Sequence, residues 1–278
     1  MANQSPAMIK TESHGITLYS FHVFSTIPGL KHFVSTRHNG ISEKNFSSLN
    51  LGFHVGDNNF NVLRNRKLLS VATGIDIYRF TCANQCHSGN VVIVDDASRG
   101  KGSVDKENAI PNADGMITNV EKICLGVQVA DCVPILLYDP VERVIAALHS
   151  GWKGALKKIA PHAVEKMIQH YGCKTGNILA ALGPSNGPCC YEVGPDVVHE
   201  AELALGNTAG IVKPSPKAGK YIFDQWQANK RQLLEMGLKE SNIETAEVCT
   251  QCHSDTFFSS RADAGVTGRF VAGIMLEK

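Results

Sequence analysis

Three residues of the chain, His87, Cys132 and His149, have side chains of the types that bind transition metals. They occur in the sequences QCHSG, VADCVP and ALHSGW, each of which follows or interrupts an apolar segment, so we expect them at strand ends beside a pocket. Two imidazoles and one thiolate suit zinc, and three protein ligands leave a fourth coordination position open. The residues therefore predict a catalytic zinc site rather than a structural one.

The spacing of apolar residues predicts the elements that position these side chains. The clearest helix is predicted over residues 155–171, where apolar residues recur at i, i+3 and i+4 up to Gly172. Further helices are predicted over 58–73, 195–205 and 224–236, and strands over 16–24, 31–36, 91–94, 124–129, 135–138, 144–148, 177–182, 243–248 and 268–276. Because strands and helices mix without strict alternation, we expect an α/β fold. Its form would be a mixed-sheet layered sandwich with flanking helices, as a single domain over residues 1–278.

Composition and charge narrow the class of partner. The formal net charge is +1 and no stretch is strongly basic or acidic, which gives no support to a nucleic-acid or membrane-surface partner. The amino-terminal segment lacks the apolar region of an export signal, and no apolar run approaches the roughly 20 residues that span a bilayer. Nine cysteines without an export signal indicate thiols in a reducing compartment. We expect a cytoplasmic monomer that acts on a small molecule.

Six sequence motifs occur in an order that resembles one known family. They are SLNLGFHVGD (48–57), QCHSG (85–89), ADCVPILLYDP (130–140), LHSGWKG (148–154), GPSNGPCCYEVG (183–194) and CTQCHSDTFFSSR (249–261). The chain resembles the multicopper polyphenol oxidoreductase or laccase-like family, whose members were later described as zinc purine nucleoside phosphorylases. The resemblance covers about residues 31 to 275. It implies an α/β sandwich whose metal, in a surface cleft, is held by His87, Cys132 and His149.

The resemblance also implies an activity. Members of this family are described as cleaving adenosine, inosine, guanosine and methylthioadenosine with phosphate, and as deaminating adenosine. Phosphorolysis requires positive charge for the phosphate, so Arg37 and Arg261 are the candidate phosphate-binding residues. Asp131, next to Cys132, is the candidate for orienting a metal ligand. Zinc is the expected cofactor, with copper as the alternative, and Cys132 and His149 are the expected catalytic residues.

Other functions remain open at this point. A His₂Cys set also occurs in blue-copper centres, as the polyphenol oxidase name would require, although none of the eleven histidines forms the His-x-His pairs of a laccase copper cluster. Cys132 with His149 as its base could instead form a metal-free amide hydrolase acting on peptidoglycan precursors. A metal-sensing or scaffold protein is the non-enzymatic alternative.

Two further cysteine motifs lie outside this site. The sequence Cys249-Thr-Gln-Cys252-His253 matches the haem c attachment pattern, which we discount because haem c attachment occurs outside the cytoplasm. Its two cysteines are too few for a structural zinc, and the sequence alone does not identify further ligands. The pair Cys189-Cys190 lies in a segment, 183–194, that we interpret as a pocket wall with Tyr191 or Glu192 facing substrate.

Overall fold

Two six-stranded mixed sheets pack against each other, and helices cover their outer faces. The computed structural model describes residues 8–277; residues 1–7, on which the expectation about an export signal partly rests, and Lys278 lie outside it. The strands are β1 (Ile9–Ser13), β2 (Ile16–Ser20), β3 (Leu30–Ser35), β4 (Phe80–Cys82), β5 (Val91–Ile93), β6 (Gly115–Thr118), β7 (Cys124–Val129), β8 (Val133–Asp139), β9 (Val144–Ser150), β10 (Leu179–Leu182), β11 (Glu192–Val193), β12 (Val212–Pro214), β13 (Tyr221–Phe223), β14 (Ile243–Thr245) and β15 (Phe270–Leu276). The helices are α1 (His22–Ser25), α2 (Asn59–Thr73), α3 (Trp152–Leu156), α4 (Ile159–Tyr171), α5 (Pro195–Leu205) and α6 (Gln225–Glu235).

The strand order confirms the predicted mixed α/β fold. One sheet has the order β1-β2-β3-β15-β7-β4, the other β14-β10-β8-β9-β6-β5, and a small third sheet has the order β11-β13-β12. The pairs β4–β7, β5–β6 and β10–β14 are parallel, whereas the other pairs are antiparallel.

The central strands are buried on both faces, which explains their continuous apolar runs. All residues of β7, β8, β9 and β15 are buried. Val127 and Ala272 of one sheet share a core cluster with Leu136 and Ala147 of the other. Helix α4 covers the outer face of the second sheet and α2 covers that of the first. Strands buried on both faces lose the polar–apolar alternation of a half-exposed strand.

Several predicted elements differ in extent from the observed ones. The helix predicted over 155–171 divides into α3 and α4 at Lys158, whose φ is 57°. Leu156 packs against α5, whereas Ile159 packs against the second sheet. One straight helix could not place both side chains in these two separate hydrophobic clusters. The strand predicted over 16–24 ends at Ser20 and gives way to α1, and the one predicted over 243–248 ends at Thr245. Six strands of two to five residues were not predicted, because each contains too few residues to show a period: β1, β4, β6, β11, β12 and β13. Within residues 8–277, no helix is both long and apolar enough to cross a membrane.

Candidate metal centre

His87, Cys132 and His149 converge on one point. One ligand atom from each lies within 4.8 Å of the others, and His87 Nε2 is 3.9 Å from Cys132 Sγ. A tetrahedral zinc ion with nitrogen ligands at ~2.0–2.1 Å and sulfur at ~2.3 Å separates nitrogen from sulfur by about 3.6 Å. The three side chains therefore fit a metal ion with little movement, and the site could bind one.

Strand pairing brings these residues together. His149 is the next-to-last residue of β9, and Cys132 immediately precedes β8, the antiparallel neighbour of β9. His87 lies in the loop after β4 and has a φ of 57°, in the left-handed region. The expectation of strand-end positions thus holds for Cys132 and His149, whereas His87 lies within the loop between β4 and β5.

Asp114, which the sequence analysis did not select, connects the two histidines. Its carboxylate lies 2.8 Å from His149 Nδ1 and accepts hydrogen bonds from the backbone N–H groups of His87 (3.0 Å) and Ser88 (2.6 Å). A carboxylate on Nδ1 leaves Nε2 as the ligand atom and fixes the orientation of the ring. Asp114 therefore positions one histidine through its ring and the other through its backbone.

The charges around Cys132 favour its thiolate form. Burial alone would raise the pKa of the Cys132 thiol, but His149 and His87 outweigh burial and lower that pKa to about 6. Burial disfavours protonation of His149, but Cys132 and Asp114 outweigh it and raise the His149 pKa to about 9. The thiolate is the form of cysteine that acts as metal ligand or nucleophile.

Gly151 leaves the space that the ligands need. A Cβ atom at this position would lie 2.5 Å from Cys132 Sγ and 3.7 Å from His87 Cδ2. The backbone of Gly151 is extended, with φ −75°, so an alanine would cause crowding without backbone strain.

We expect Gly151→Ala to reduce the amount of metal bound at this site at least ~10-fold at limiting metal, an effect comparable to disturbing a ligand's support. The displaced thiolate can no longer meet both histidines. Metal retained after dialysis against a weak chelator measures the effect. Gly176→Ala is the matched control, since its added Cβ would make only an ordinary 3.6 Å contact with Lys239 Cε. Equal metal retention in the two variants would contradict the assigned role of Gly151.

The three residues open onto a cleft of about 640 Å³. Its wall comes from six segments that are distant in sequence: His54, Gln85, His87, Gln128, Ala130, Asp131, Cys132, His149, Trp152, Tyr191, Ser260, Arg261, Ala264, Gly265 and Arg269. A second cavity of about 430 Å³ shares His54, Gln85 and Gln128 with this cleft and adds Arg66 and Lys106. Burial, followed by the nearby Arg269 and Arg66, lowers the pKa of His54 to about 4. The cleft, which Arg261 and Arg269 line, is large enough for a nucleoside.

Arg261 lines the cleft, and Asp131 holds it there. The backbone N–H of Arg261 donates to Asp131 Oδ2 at 2.6 Å, and its guanidinium lies 5.2 Å from the Tyr191 ring centroid. Asp131 also accepts a 2.6 Å hydrogen bond from Thr250 Oγ1. The structure therefore gives Asp131 partners other than a metal-ligating histidine, and the carboxylate that contacts such a ligand is Asp114.

Arg37 lies outside the cleft wall. Its guanidinium donates to the carbonyl oxygens of Ser47 (3.0 Å) and Ser254 (2.6 Å) and stacks 4.6 Å from the centroid of Phe258. These contacts connect loops and hold the guanidinium away from the residues that line the cleft. The second arginine at the cleft is instead Arg269, which sequence reasoning did not select.

Of the two residues that were expected to face substrate, one lines the cleft and the other does not. Tyr191 faces the cleft, as one of the two alternatives predicted, whereas Glu192 binds Ser215 and Lys217. Trp152, the first residue of α3, supplies a second aromatic surface. The glycine-rich sequence around Trp152, LHSGWKG, was the sequence feature that could have identified this residue as part of the site.

Comparison with known proteins places the chain among relatives of similar length. A family model described as multi-copper polyphenol oxidoreductase laccase matches residues 31–277. A protein named purine nucleoside phosphorylase YlmD, from Geobacillus stearothermophilus, is 36% identical over 87% of this chain and 88% of its own length. One named adenosine deaminase RL5, from an unknown prokaryotic organism, is 33% identical over 93% and 98%. The crystal structure of hypothetical protein YfiH from Bacillus licheniformis superposes with a TM-score of 0.89 at 31% identity, over 96% of this chain and 97% of that one. The chain belongs to the multi-copper polyphenol oxidoreductase laccase family.

Proposed function

We propose that this protein is a zinc-dependent purine nucleoside phosphorylase that also cleaves methylthioadenosine and deaminates adenosine. The observation that carries the proposal is the cleft itself, in which a His-Cys-His set lies beside arginine and aromatic side chains. The names of the relatives from Geobacillus stearothermophilus and of RL5 support the same two reactions. We further propose that the chain forms one domain and acts as a monomer in the cytoplasm.

His87, Cys132 and His149 would hold the metal. The ligand set suits zinc, because imidazole and thiolate together match a borderline-soft ion and the residues supply three ligands of four. Bound there, zinc would supply a Lewis acid at the substrate and lower the pKa of a water molecule to about 7. Asp114 keeps the His149 ring fixed, with its Nε2 directed away from the Asp114 carboxylate.

We expect Asp114→Asn to weaken zinc binding by ~10- to 100-fold, the range for loss of a carboxylate behind a ligating histidine. The neutral amide forms a weaker hydrogen bond with the His149 ring. It also has only one oxygen, so it cannot accept hydrogen bonds from the backbone N–H groups of both His87 and Ser88 as the carboxylate does. Competition with a chromogenic chelator measures the zinc affinity. Asp96→Asn, in an exposed carboxylate paired with Arg99, is the control. An unchanged affinity in Asp114→Asn would contradict this role.

The cleft also has groups for both parts of the substrate. Trp152 and Tyr191 provide aromatic surfaces for a purine, and Arg261 and Arg269 provide charge for the phosphate that attacks the ribose carbon. The purine leaves with the electron pair of the broken glycosidic bond, and the phosphate oxygen forms the new bond to that carbon. Holding phosphate and nucleoside side by side turns a bimolecular encounter into a reaction within one complex.

Deamination uses the same cleft with a different nucleophile. Water rather than phosphate attacks the purine at C6, and the C6–amino bond breaks to release ammonia. The arginines take no direct part. The two reactions therefore respond differently to phosphate and to arginine substitution.

A second candidate function follows from the Cys132–His149 pair. Its charges favour a thiolate beside a protonated imidazole, the arrangement of a cysteine hydrolase. Such an enzyme would cleave amides, as in peptidoglycan precursors, and would retain activity after chelation. A copper polyphenol oxidase would instead contain copper and oxidise phenols.

Product analysis of adenosine turnover tests the proposal. Zinc-loaded protein is incubated with adenosine with and without phosphate, and the products are separated by chromatography. We expect adenine and ribose 1-phosphate only when phosphate is present, and inosine in both cases. Adenine release at the same rate without phosphate would exclude phosphorolysis.

A further inference from the structure

Four cysteines from two distant segments meet in a second cluster. Cys189, Cys190, Cys249 and Cys252 have sulfur atoms that all lie within 4.8 Å of one another. Cys252 Sγ is 3.5 Å from Cys189 Sγ and 3.4 Å from Cys190 Sγ. All four are free thiols, and this cluster shares no residue with the His-Cys-His set. Neither candidate reaction uses them.

The separations match those of a tetrathiolate metal site. Four sulfur ligands at ~2.3 Å around a tetrahedral zinc ion lie about 3.8 Å from one another. Two separations in the cluster, 3.4 and 3.5 Å, lie just below this value, and the upper limit of 4.8 Å for all of them lies above it. Small rotations of the side chains would bring all four sulfur atoms to the ideal distance.

We propose that these four cysteines bind a second zinc ion, which serves the structure rather than the reaction. Binding would replace four thiol protons, released to solvent, with four zinc–sulfur bonds and no change in oxidation state. With all four ligands from the protein, no position remains for substrate, as in structural zinc sites. Cys249 and Cys252 supply the C-x-x-C pair that the sequence left incomplete, and Cys189 and Cys190 supply the two missing ligands.

The local structure already supports one of these sulfur atoms. The backbone N–H of Gly187 donates to Cys249 Sγ at 3.3 Å, a contact that stabilises negative charge on sulfur. A Cβ on Gly187 would lie 3.2 Å from Cys249 Cβ and 2.6 Å from the Trp226 ring, so a glycine permits this close approach. Cys249 also forms an isolated bridge with Ser185, which aligns the two segments next to the cluster.

The second zinc would connect two walls of the cleft. One segment continues from Cys190 directly into Tyr191, and the other leads from Cys252 to Arg261. These walls touch through Arg261, whose guanidinium donates to Glu192 O at 2.9 Å and lies over Tyr191. The metal would thus hold both cleft residues in place from behind, without touching the substrate itself.

The test counts metal ions in protein purified under reducing conditions without added metal. Elemental analysis of wild type, Cys132→Ser, Cys252→Ser and the double variant should give two, one, one and no zinc ions per chain. Cobalt loaded into Cys132→Ser should show the intense thiolate-to-cobalt charge-transfer absorption of four sulfur ligands, and this absorption should be absent from the double variant. Chelation should lower the melting temperature of Cys132→Ser. Cys173→Ser, at a thiol outside both clusters, should keep two zinc ions.

Folded, reduced Cys132→Ser that binds neither zinc nor cobalt would overturn the proposal. This measurement does not require Cys252→Ser to fold, because the intact cluster alone is being loaded. The measurement also does not depend on any nucleoside assay. If the proposed reaction were not found, the proposal of a second zinc ion would be unaffected.

Discussion

Cys132→Ser is expected to lose the zinc held with His87 and His149 and to reduce phosphate-dependent nucleoside cleavage ~100-fold or more. Removing a ligand should reduce zinc affinity and activity at least as much as removing the hydrogen bond that supports a ligand. A serine hydroxyl is a far weaker zinc ligand than a thiolate, whereas replacing one sulfur atom by a smaller oxygen at this half-buried position removes little packing. The fold should therefore stay near wild-type stability. Zinc content and the rate of adenine release from adenosine, measured on the same preparation, give the result.

The matched control for this prediction is Cys86→Ser. Cys86 is next to His87 in sequence but lies outside the metal-binding set, with its thiol 3.5 Å from Asp114 Oδ2. It should retain both zinc and activity. A Cys132→Ser protein that is inactive with its full complement of zinc would support the cysteine hydrolase instead.

Arg261→Ala is expected to raise the phosphate concentration for half-maximal cleavage by ~10- to 150-fold. A charge-assisted arginine–phosphate contact contributes ~1.5–3 kcal/mol, which corresponds to that range of affinity. Arg269→Ala should act in the same direction, since its side chain lines the same cleft. Deamination of adenosine by either variant should change much less, because no phosphate takes part in it. Initial rates over a phosphate titration provide the measurement.

Arg64→Ala serves as the control for this titration. Arg64 is exposed on α2, where its guanidinium lies 5.9 Å from the Phe60 ring centroid, and its loss should leave phosphate dependence unchanged. If Arg261→Ala and Arg269→Ala both behave like Arg64→Ala, the assignment of phosphate to these arginines is wrong.

Sequence identified the residues whose type alone is informative. Histidine and cysteine at strand ends stand out because few structural roles require them together, and the long central strands stand out because burial makes them continuously apolar. Asp114 did not stand out, because an aspartate before a strand resembles any turn residue until its hydrogen bonds are seen. The same applies to Arg269, whose position at the cleft depends on the pairing of β15 rather than on its neighbours in sequence.

The sequence left two points undetermined for a common reason. Arg37 follows a strand, as a cleft residue would, but its loop turns it toward Ser47 and Ser254. The C-x-x-C pair at Cys249 has ligand spacing, but its partners lie about 60 residues earlier in the chain, a distance over which local patterns carry no information. Both depend on loop packing, which only the tertiary structure determines.

The most direct test of the central claim is the return of activity with zinc. Zinc is removed from the wild-type protein, then returned in steps while phosphate-dependent release of adenine from adenosine is followed. We predict no release from the metal-free protein and a rise in release as zinc fills the His87, Cys132 and His149 site. Release that persists at its full rate after complete removal of zinc would contradict the account.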